Sequence, residues 1–312
     1  MPGMRVLYLT SQGEDYLQDQ ILLGLRESLG AQVLDNPRKS VLYRNCPVPR
    51  RELYGRGFTI WKLLGDIHLD RGDLNQRIED GEFETLIFGN IWRQLREFRE
   101  FRARRYLRRC FRRVGFLDGE DHKRTCLPAL AYGLYFKREI RLALPLPRTR
   151  RVNFSIPGSK LRARPLEKDQ LFARHVQCEE AYKLEVIRRH CRKSYLFEKE
   201  EDYYRDLARS EYAVTMKKMG WECQRHYEIA ANHTVPCFYR LSRKPRRCAP
   251  HGLVDGENVL AFDSAGELEE KIEEVRRNGR YAQLQQGAFH WAARNTCRRV
   301  AERLLNALEA VD

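Results

Sequence analysis

The sequence predicts an α/β protein of two domains, each with a parallel sheet wound by helices. The chain has 312 residues, more than one hydrophobic core usually organises, so two domains of roughly 150 residues are expected. Short apolar strands alternate with helix-length amphipathic segments. A stretch rich in proline and basic residues, 142–165, interrupts the alternation, which then resumes. This interruption predicts a boundary near residue 150 and domains at 1–150 and 151–312.

The first half begins with a strand, a helix and a second strand. Arg5 to Thr10 is short, apolar and followed at once by a polar loop, as in a buried parallel strand. Segment 16–29 repeats leucine and isoleucine at helical spacing, and Gly30 is expected to end the helix before a strand at 32–34.

Further strands are predicted at 86–89 and 114–118, separated by a highly charged helix at 93–113. Ligands bind at the carboxyl ends of the strands in such sheets. The loops after Thr10, Gly89 and Leu117 are therefore where functional side chains are expected.

The second half continues the same alternation. The pattern predicts strands at 212–216 and 235–239. Helices are expected at 179–191, 202–209, 225–232, 264–278 and about 281–310.

Composition limits the class of protein. Apolar residues make up 42% of the chain and charged residues 32%, which excludes general disorder. The net charge of +15 favours phosphate-rich partners, including nucleic acid, nucleotides and anionic lipid headgroups. Nine cysteines without a CxxC pair indicate a reduced, cytoplasmic protein. The start of the chain lacks the pattern of a cleavable signal and no segment is long enough to span a bilayer, which leaves only peripheral membrane contact open.

The most informative segment, 210–238, predicts a strand, a loop containing Gly220, a helix and a strand opened by Pro236. A loop that leads into a helix N-terminus presents backbone N–H groups and a positive dipole end, which suit a diphosphate. Lys217 and Arg225 would add positive charge at that place.

These residues resemble the C-terminal domain of GT-B glycosyltransferases, particularly the group-1-like enzymes related to the spore-maturation CgeB proteins. Glu228, in the helix after the loop, matches the family's ribose-binding glutamate, and Val235-Pro236 matches the strand that follows. The segments 252–262 and 267–275 also resemble the family, as does 134–139 near the end of the first domain. The likeness covers about 115–305; earlier residues show only a generic α/β pattern.

The resemblance implies two Rossmann-like domains that face each other across a cleft, with the acceptor side in the first and the nucleotide-sugar site in the second. It allows the C-terminal helix to pack back on the first domain. The implied donor is a nucleotide-diphosphate sugar, most simply a UDP-sugar, bound by Lys217, Gly220, Arg225 and Glu228, with Gly13 allowing close backbone approach. Neither a metal nor another cofactor is required.

One position departs from the family pattern. Many retaining members carry a second glutamate eight residues before the ribose-binding one, and Gly220 stands there, with Glu222 nearby but out of register. The absence of the second glutamate leaves the stereochemical outcome open and favours inversion over retention.

An inverting transfer needs a base that deprotonates the acceptor hydroxyl. The loop after the strand at 114–118 offers Asp121 or His122 as that base, with Asp118 as its orienting partner. Glu14 and Asp15, after the first strand, are the alternative.

Ten arginines lie between Arg93 and Arg113, opposed in that stretch by only Glu97 and Glu100. Arg105, Arg108, Arg109 and Arg112 are the candidate contacts to a polyanion, with an exposed helix face as the plain alternative.

Together these observations predict a sugar transfer to a hydroxyl acceptor that is polyanionic, such as a hydroxymethylated DNA or a modified RNA base. The resemblance alone favours a cell-surface glycan or protein as acceptor. A non-catalytic nucleic-acid-binding protein on a GT-B scaffold is the alternative from another class. The oligomeric state is left open.

Overall fold

The computed structural model describes residues 5–141 and 146–310. The chain divides into two compact units, one formed by Met1–Pro157 and Cys297–Asp312 and the other by Gly158–Thr296. The division thus falls after Pro157 rather than near residue 150, and the last helix belongs with the first unit. A strand at Thr149–Arg151, hydrogen-bonded to the first sheet, extends the first unit beyond the expected boundary.

The first unit contains a parallel sheet of six strands in the order β2-β1-β3-β4-β5-β6. The strands are β1 Val6–Leu9, β2 Val33–Asn36, β3 Thr85–Phe88, β4 Arg113–Asp118, β5 Leu134–Lys137 and β6 Thr149–Arg151. Its helices are α1 Tyr16–Leu29, α2 Leu74–Glu79, α3 Leu95–Ala103, α4 Tyr106–Arg109 and α10 Cys297–Glu309. The carboxyl ends of β1, β3 and β4 lie side by side, because each strand pairs in register with the next.

Helix α1 has the predicted bounds because both ends carry strong local signals. Asp15 caps it by accepting a hydrogen bond from the Gln18 amide at 3.1 Å, and Gly30 ends it with φ +56°. Gly24 allows α10 to pack directly on α1, since a Cβ there would lie 2.0 Å from the Cys297 carbonyl oxygen. The C-terminal helix therefore packs on helix α1 of the first unit.

The second unit contains a parallel sheet of four strands in the order β10-β9-β8-β7. The strands are β7 Gln170–Phe172, β8 Ser210–Met216, β9 Val235–Tyr239 and β10 Leu260–Phe262. Its helices are α5 Glu185–His190, α6 Glu200–Arg209, α7 Gln224–Ala231, α8 Ala265–Arg277 and α9 Tyr281–Arg294. Two parallel sheets with helices between their strands confirm the predicted α/β class.

Three predicted helices are interrupted. The charged helix at 93–113 breaks at Arg105, which has φ +61°. The helix at 179–191 is a short 3-10 helix, Glu180–Lys183, followed by α5. The long helix at 281–310 divides after Asn295. The Cys297 amide donates at 2.9 Å to the Ile156 carbonyl, a residue of the first unit, instead of to a carbonyl of α9.

Candidate active site

The Glu228 carboxylate is buried and held in one orientation. Glu228 lies in α7, which follows β8 at that strand's carboxyl end, and only 7% of the residue is exposed. The Tyr203 hydroxyl of α6 donates to Glu228 Oε2 at 2.7 Å. The pKa of Tyr203 is raised well above its usual value by burial and then by the Glu228 charge, so the phenol stays protonated as the donor.

Arg225 links this carboxylate to the loop after β7. Its Nη1 donates to the Tyr203 hydroxyl at 3.1 Å and its Nη2 donates to the His175 carbonyl at 2.7 Å. Burial, followed by the Arg225 charge, lowers the pKa of His175 to about 4, so this imidazole is neutral near pH 7. Two hydrogen bonds thus fix the guanidinium one helical turn before Glu228.

The loop between β8 and α7 gathers the other predicted donor residues. Lys217 is half-buried, with Nζ 5.6 Å from the centroid of the Trp221 ring. The Gly220 carbonyl accepts a hydrogen bond from the Lys218 amide at 3.0 Å, which tightens the turn. The side chain of Cys223 at the N-cap of α7 makes no capping hydrogen bond, and the His226 amide of the first turn donates to the Cys223 carbonyl at 3.2 Å.

Glu222 supplies a second buried carboxylate in this loop. It is 3% exposed and accepts a hydrogen bond from the Tyr227 hydroxyl, whose ring stacks on Trp291 with centroids 4.6 Å apart. Glu222 is therefore engaged within the second unit, and Gly220 supplies no carboxylate at the family's position.

In the first unit, the three loops expected to carry function are joined by one side chain. Asn90 Nδ2, in the loop after β3, donates to Asp15 Oδ2 at 2.6 Å and to Glu120 Oε1 at 2.9 Å. Arg93 adds a bond from Nη1 to the Glu14 carbonyl at 3.1 Å. The loops after β1, β3 and β4 therefore meet at one edge of the sheet.

The predicted partnership between Asp118 and His122 is not formed. Asp118 is fully buried, and its oxygens accept hydrogen bonds from Lys137 Nζ at 2.6 Å, the Tyr135 hydroxyl at 2.7 Å and the Glu120 amide at 3.2 Å. Burial, and then Asp118, raises the pKa of Tyr135. Asp118 thus orients the backbone of the loop after β4 instead of the imidazole.

The two candidate bases on this loop have different surroundings. Arg138 holds the Asp121 carboxylate in an ion pair, donates to the Gly119 carbonyl at 2.8 Å and lies over the Phe154 ring. His122 meets the Trp92 ring edge-on at 4.9 Å, and its Nδ1 has no hydrogen-bond partner among residues 5–141 and 146–310.

The alternative base residues sit at the N-terminus of α1. Asp15 caps that helix, and Glu14 Oε1 accepts a hydrogen bond from the Tyr54 amide at 3.0 Å. Gly13 has φ +75°, which a residue with a side chain rarely adopts, and its carbonyl accepts a hydrogen bond from Lys39.

The candidate polyanion contacts are all exposed. Arg105 is the left-handed residue between α3 and α4, Arg108 and Arg109 lie in α4, and Arg112 follows it. They lie in the same unit as the His122 loop.

Several residues of the site carried no signal in the sequence. Tyr203 and His175 become partners of Glu228 and Arg225 only through tertiary packing, and neither stands in a motif. Asn90 lies in a loop where function was expected, but its bonding to two other loops depends on the strand order. Arg138 belongs to the segment 134–139, whose resemblance to the family gave no role for it.

The part of the chain that the structure describes contains no helix that meets the length and hydrophobicity of a membrane span. Within the same residues, no three His, Cys, Asp or Glu side chains cluster in a way that would hold a metal ion.

No family model and no curated protein sequence matches the chain, but solved structures do. The chain is similar to HepE of Anabaena in complex with UDP-glucose, with a TM-score of 0.55, 10% identity and coverage of 98% of this chain and 100% of that one. A glycosyltransferase from Rickettsia africae ESF-5 gives a TM-score of 0.59 and 7% identity, and both chains are covered completely. An alpha-glucosyltransferase in complex with UDP and a 13-mer DNA gives a TM-score of 0.54 and 9% identity, with coverage of 99% of this chain and 100% of that one.

Proposed function

We propose that this chain, which has the GT-B fold of those glycosyltransferases, transfers a sugar from a nucleotide diphosphate to a hydroxyl acceptor. The observation that carries the proposal is the buried Glu228 carboxylate, which Tyr203 orients on the helix that follows β8. In this proposal the second unit binds the donor and the first unit binds the acceptor.

Donor binding divides between three features of the second unit. Glu228 would accept hydrogen bonds from the ribose hydroxyls, because a buried carboxylate gains most from donors that replace water. Lys217, Arg225 and the positive dipole end at the N-terminus of α7 would stabilise the departing diphosphate, and the turn at Gly220 would let the backbone come close to it. We favour a UDP-sugar, because HepE and the alpha-glucosyltransferase were each solved with UDP or a UDP-sugar.

Chemistry on the acceptor needs a base, and we propose His122 or Asp121. The base takes the proton of the acceptor hydroxyl, its oxygen bonds to the anomeric carbon, and the bond to the nucleotide diphosphate breaks. The unpartnered His122 Nδ1 supports the imidazole. Arg138 fixes Asp121, and the Asp15–Asn90–Glu120 contacts fix the neighbouring loops. We favour inversion at the anomeric carbon, since Gly220 lacks the second carboxylate.

The acceptor that we propose is polyanionic, such as a hydroxymethylated DNA or a modified RNA base. The net charge of +15 supports it, and one structural neighbour was solved with DNA. A cell-surface glycan or protein is the alternative acceptor, and a non-catalytic nucleic-acid-binding protein is the alternative function. Nine free cysteines support a reducing, cytoplasmic compartment.

Release of nucleotide diphosphate from a panel of nucleotide sugars tests the enzyme proposal. Wild-type protein should release it from at least one donor, faster when acceptor is added, and Glu228→Ala should lower kcat/KM at least tenfold. Glu269→Gln, a carboxylate change on the exposed side of α8, should match wild type. No release from any donor, together with firm nucleic-acid binding, would favour the non-catalytic alternative.

A further inference from the structure

We infer that the exposed arginines of α3, α4 and the turn after them bind the phosphate backbone of a nucleic acid. The arginine face is defined here as Arg99, Arg102, Arg105, Arg108, Arg109 and Arg112, all exposed. The inference rests on the proposed function only in taking the bound strand as the acceptor of the sugar, since the binding itself needs no sugar transfer.

The arginine face is fixed on a rigid base. Phe98 and Phe101 of α3 are buried, and both rings pack edge-on against Phe88 of β3, at 6.1 and 5.8 Å between centroids. Tyr106 and Leu107 of α4 are also buried. The apolar residues thus turn the arginines of both helices towards solvent, and the backbone that carries them is already ordered before a ligand binds.

Little of this charge is neutralised within the protein. The side chains of Arg99, Arg102, Arg105 and Arg109 have no hydrogen bond or ion pair with any residue that the structure describes. Glu100 pairs instead with Arg96, and Glu84 is shared by Arg112 and Arg113. Arg108 lies over the Tyr132 ring at 5.4 Å. Exposed positive charge of this density releases counterions from a polyanion when it binds.

The chemistry of the arginine face fits nucleic-acid phosphate better than a membrane. Segment 93–113 has ten arginines and no lysine, and the planar guanidinium binds phosphate with two parallel hydrogen bonds. Among the described residues, no large hydrophobic side chain of this segment is exposed, whereas interfacial helices insert such side chains into lipid.

The helix that begins the arginine face, α3, starts beside the candidate catalytic loops. Arg93, directly before α3, donates to the Glu14 carbonyl at 3.1 Å, and its Nε lies 3.8 Å from Asp15 and 3.7 Å from Glu120. Helix α3, with nine residues, extends roughly 14 Å from that point. At roughly 3.4 Å per nucleotide along one strand, α3 alone accompanies about four phosphates.

Fluorescence anisotropy with a labelled DNA duplex, a single strand and an RNA hairpin tests this surface between about 50 and 200 mM salt. Arg105→Gln with Arg109→Gln should weaken binding at least tenfold at low salt and reduce the slope of log K against log salt by about two. The matched control is Arg188→Gln with Arg277→Gln, two exposed arginines on α5 and α8, and it should keep the wild-type slope.

The inference is overturned if the wild type binds none of the three nucleic acids at low salt. It is also overturned if both double variants bind alike, or if the protein binds phosphatidylserine vesicles in preference to nucleic acid. Because release of nucleotide diphosphate is also measured before any acceptor is added, failure of the arginine face leaves the proposed transferase activity intact. Conversely, arginine-dependent binding without turnover counts against the enzyme alone.

Discussion

At the scale of single residues, the Glu228 carboxylate is held by neighbours from outside its own motif, and the sequence could not identify them. Its motif placed Glu228, Arg225 and Lys217 on one segment. The orientation of the carboxylate comes from Tyr203, which lies on another helix. Likewise, the proximity of Asp118 and His122 along the chain suggested a pair, but Lys137 and Tyr135 on the adjacent strand take the Asp118 oxygens.

Replacing Tyr203 with Phe removes one hydroxyl and keeps the ring, which packs 5.6 Å from Phe197. One Glu228 oxygen then loses a buried donor, at a cost of about 1–3 kcal/mol. We expect donor affinity to fall about 5- to 150-fold, measured by calorimetry with a UDP-sugar. Unchanged affinity would show that Tyr203 does not orient the carboxylate for the ligand.

His175 should make stability depend on pH. Its folded pKa of about 4 lies below the ordinary value of 6.5, so between these values the unfolded chain binds a proton that the folded chain does not. Stability contributed by the neutral imidazole is present above about pH 6.5 and is lost as the pH falls towards 4. We expect the free energy of unfolding in urea to fall between pH 6.5 and pH 4 in both proteins. The fall should be about 1–3 kcal/mol smaller for His175→Asn than for wild type. Equal losses would contradict the assignment.

At the scale of elements, helices and strands with local signals were predicted well. The bounds of α1 and β9 match the prediction, because a cap, a terminal glycine and Pro236 mark them in the sequence. Strands β6 and β7 have three residues each, too few to show a period. The break at Arg105 lies within a continuous amphipathic pattern, where composition does not reveal a left-handed residue.

The contact between α1 and α10 makes Gly24 sensitive to any side chain. The Cβ of Gly24→Ala would meet backbone atoms of Cys297, which cannot rotate away, so we expect a loss of about 1–3 kcal/mol. Gly266→Ala in α8 is the control, because no atom lies within 4 Å of its added Cβ. Thermal unfolding of the two variants should show a lower Tm for the first alone; equal Tm values would argue against close packing of these helices.

At the scale of the whole molecule, the GT-B resemblance is confirmed as a fold by structures that are at most 10% identical to this chain, while the relation to the CgeB group stays a prediction. Fold could be predicted because alternating strands and helices are a repeated signal. The acceptor could not be predicted, because the net charge indicates a class of partner but does not identify a particular molecule.

Calorimetric titration of UDP into wild type, Glu228→Gln and Glu269→Gln shows most directly whether Glu228 binds the donor nucleotide. We expect wild type and Glu269→Gln to bind UDP, and Glu228→Gln to bind it at least tenfold more weakly while unfolding at the wild-type temperature. Equal UDP affinity for all three proteins would contradict this expectation.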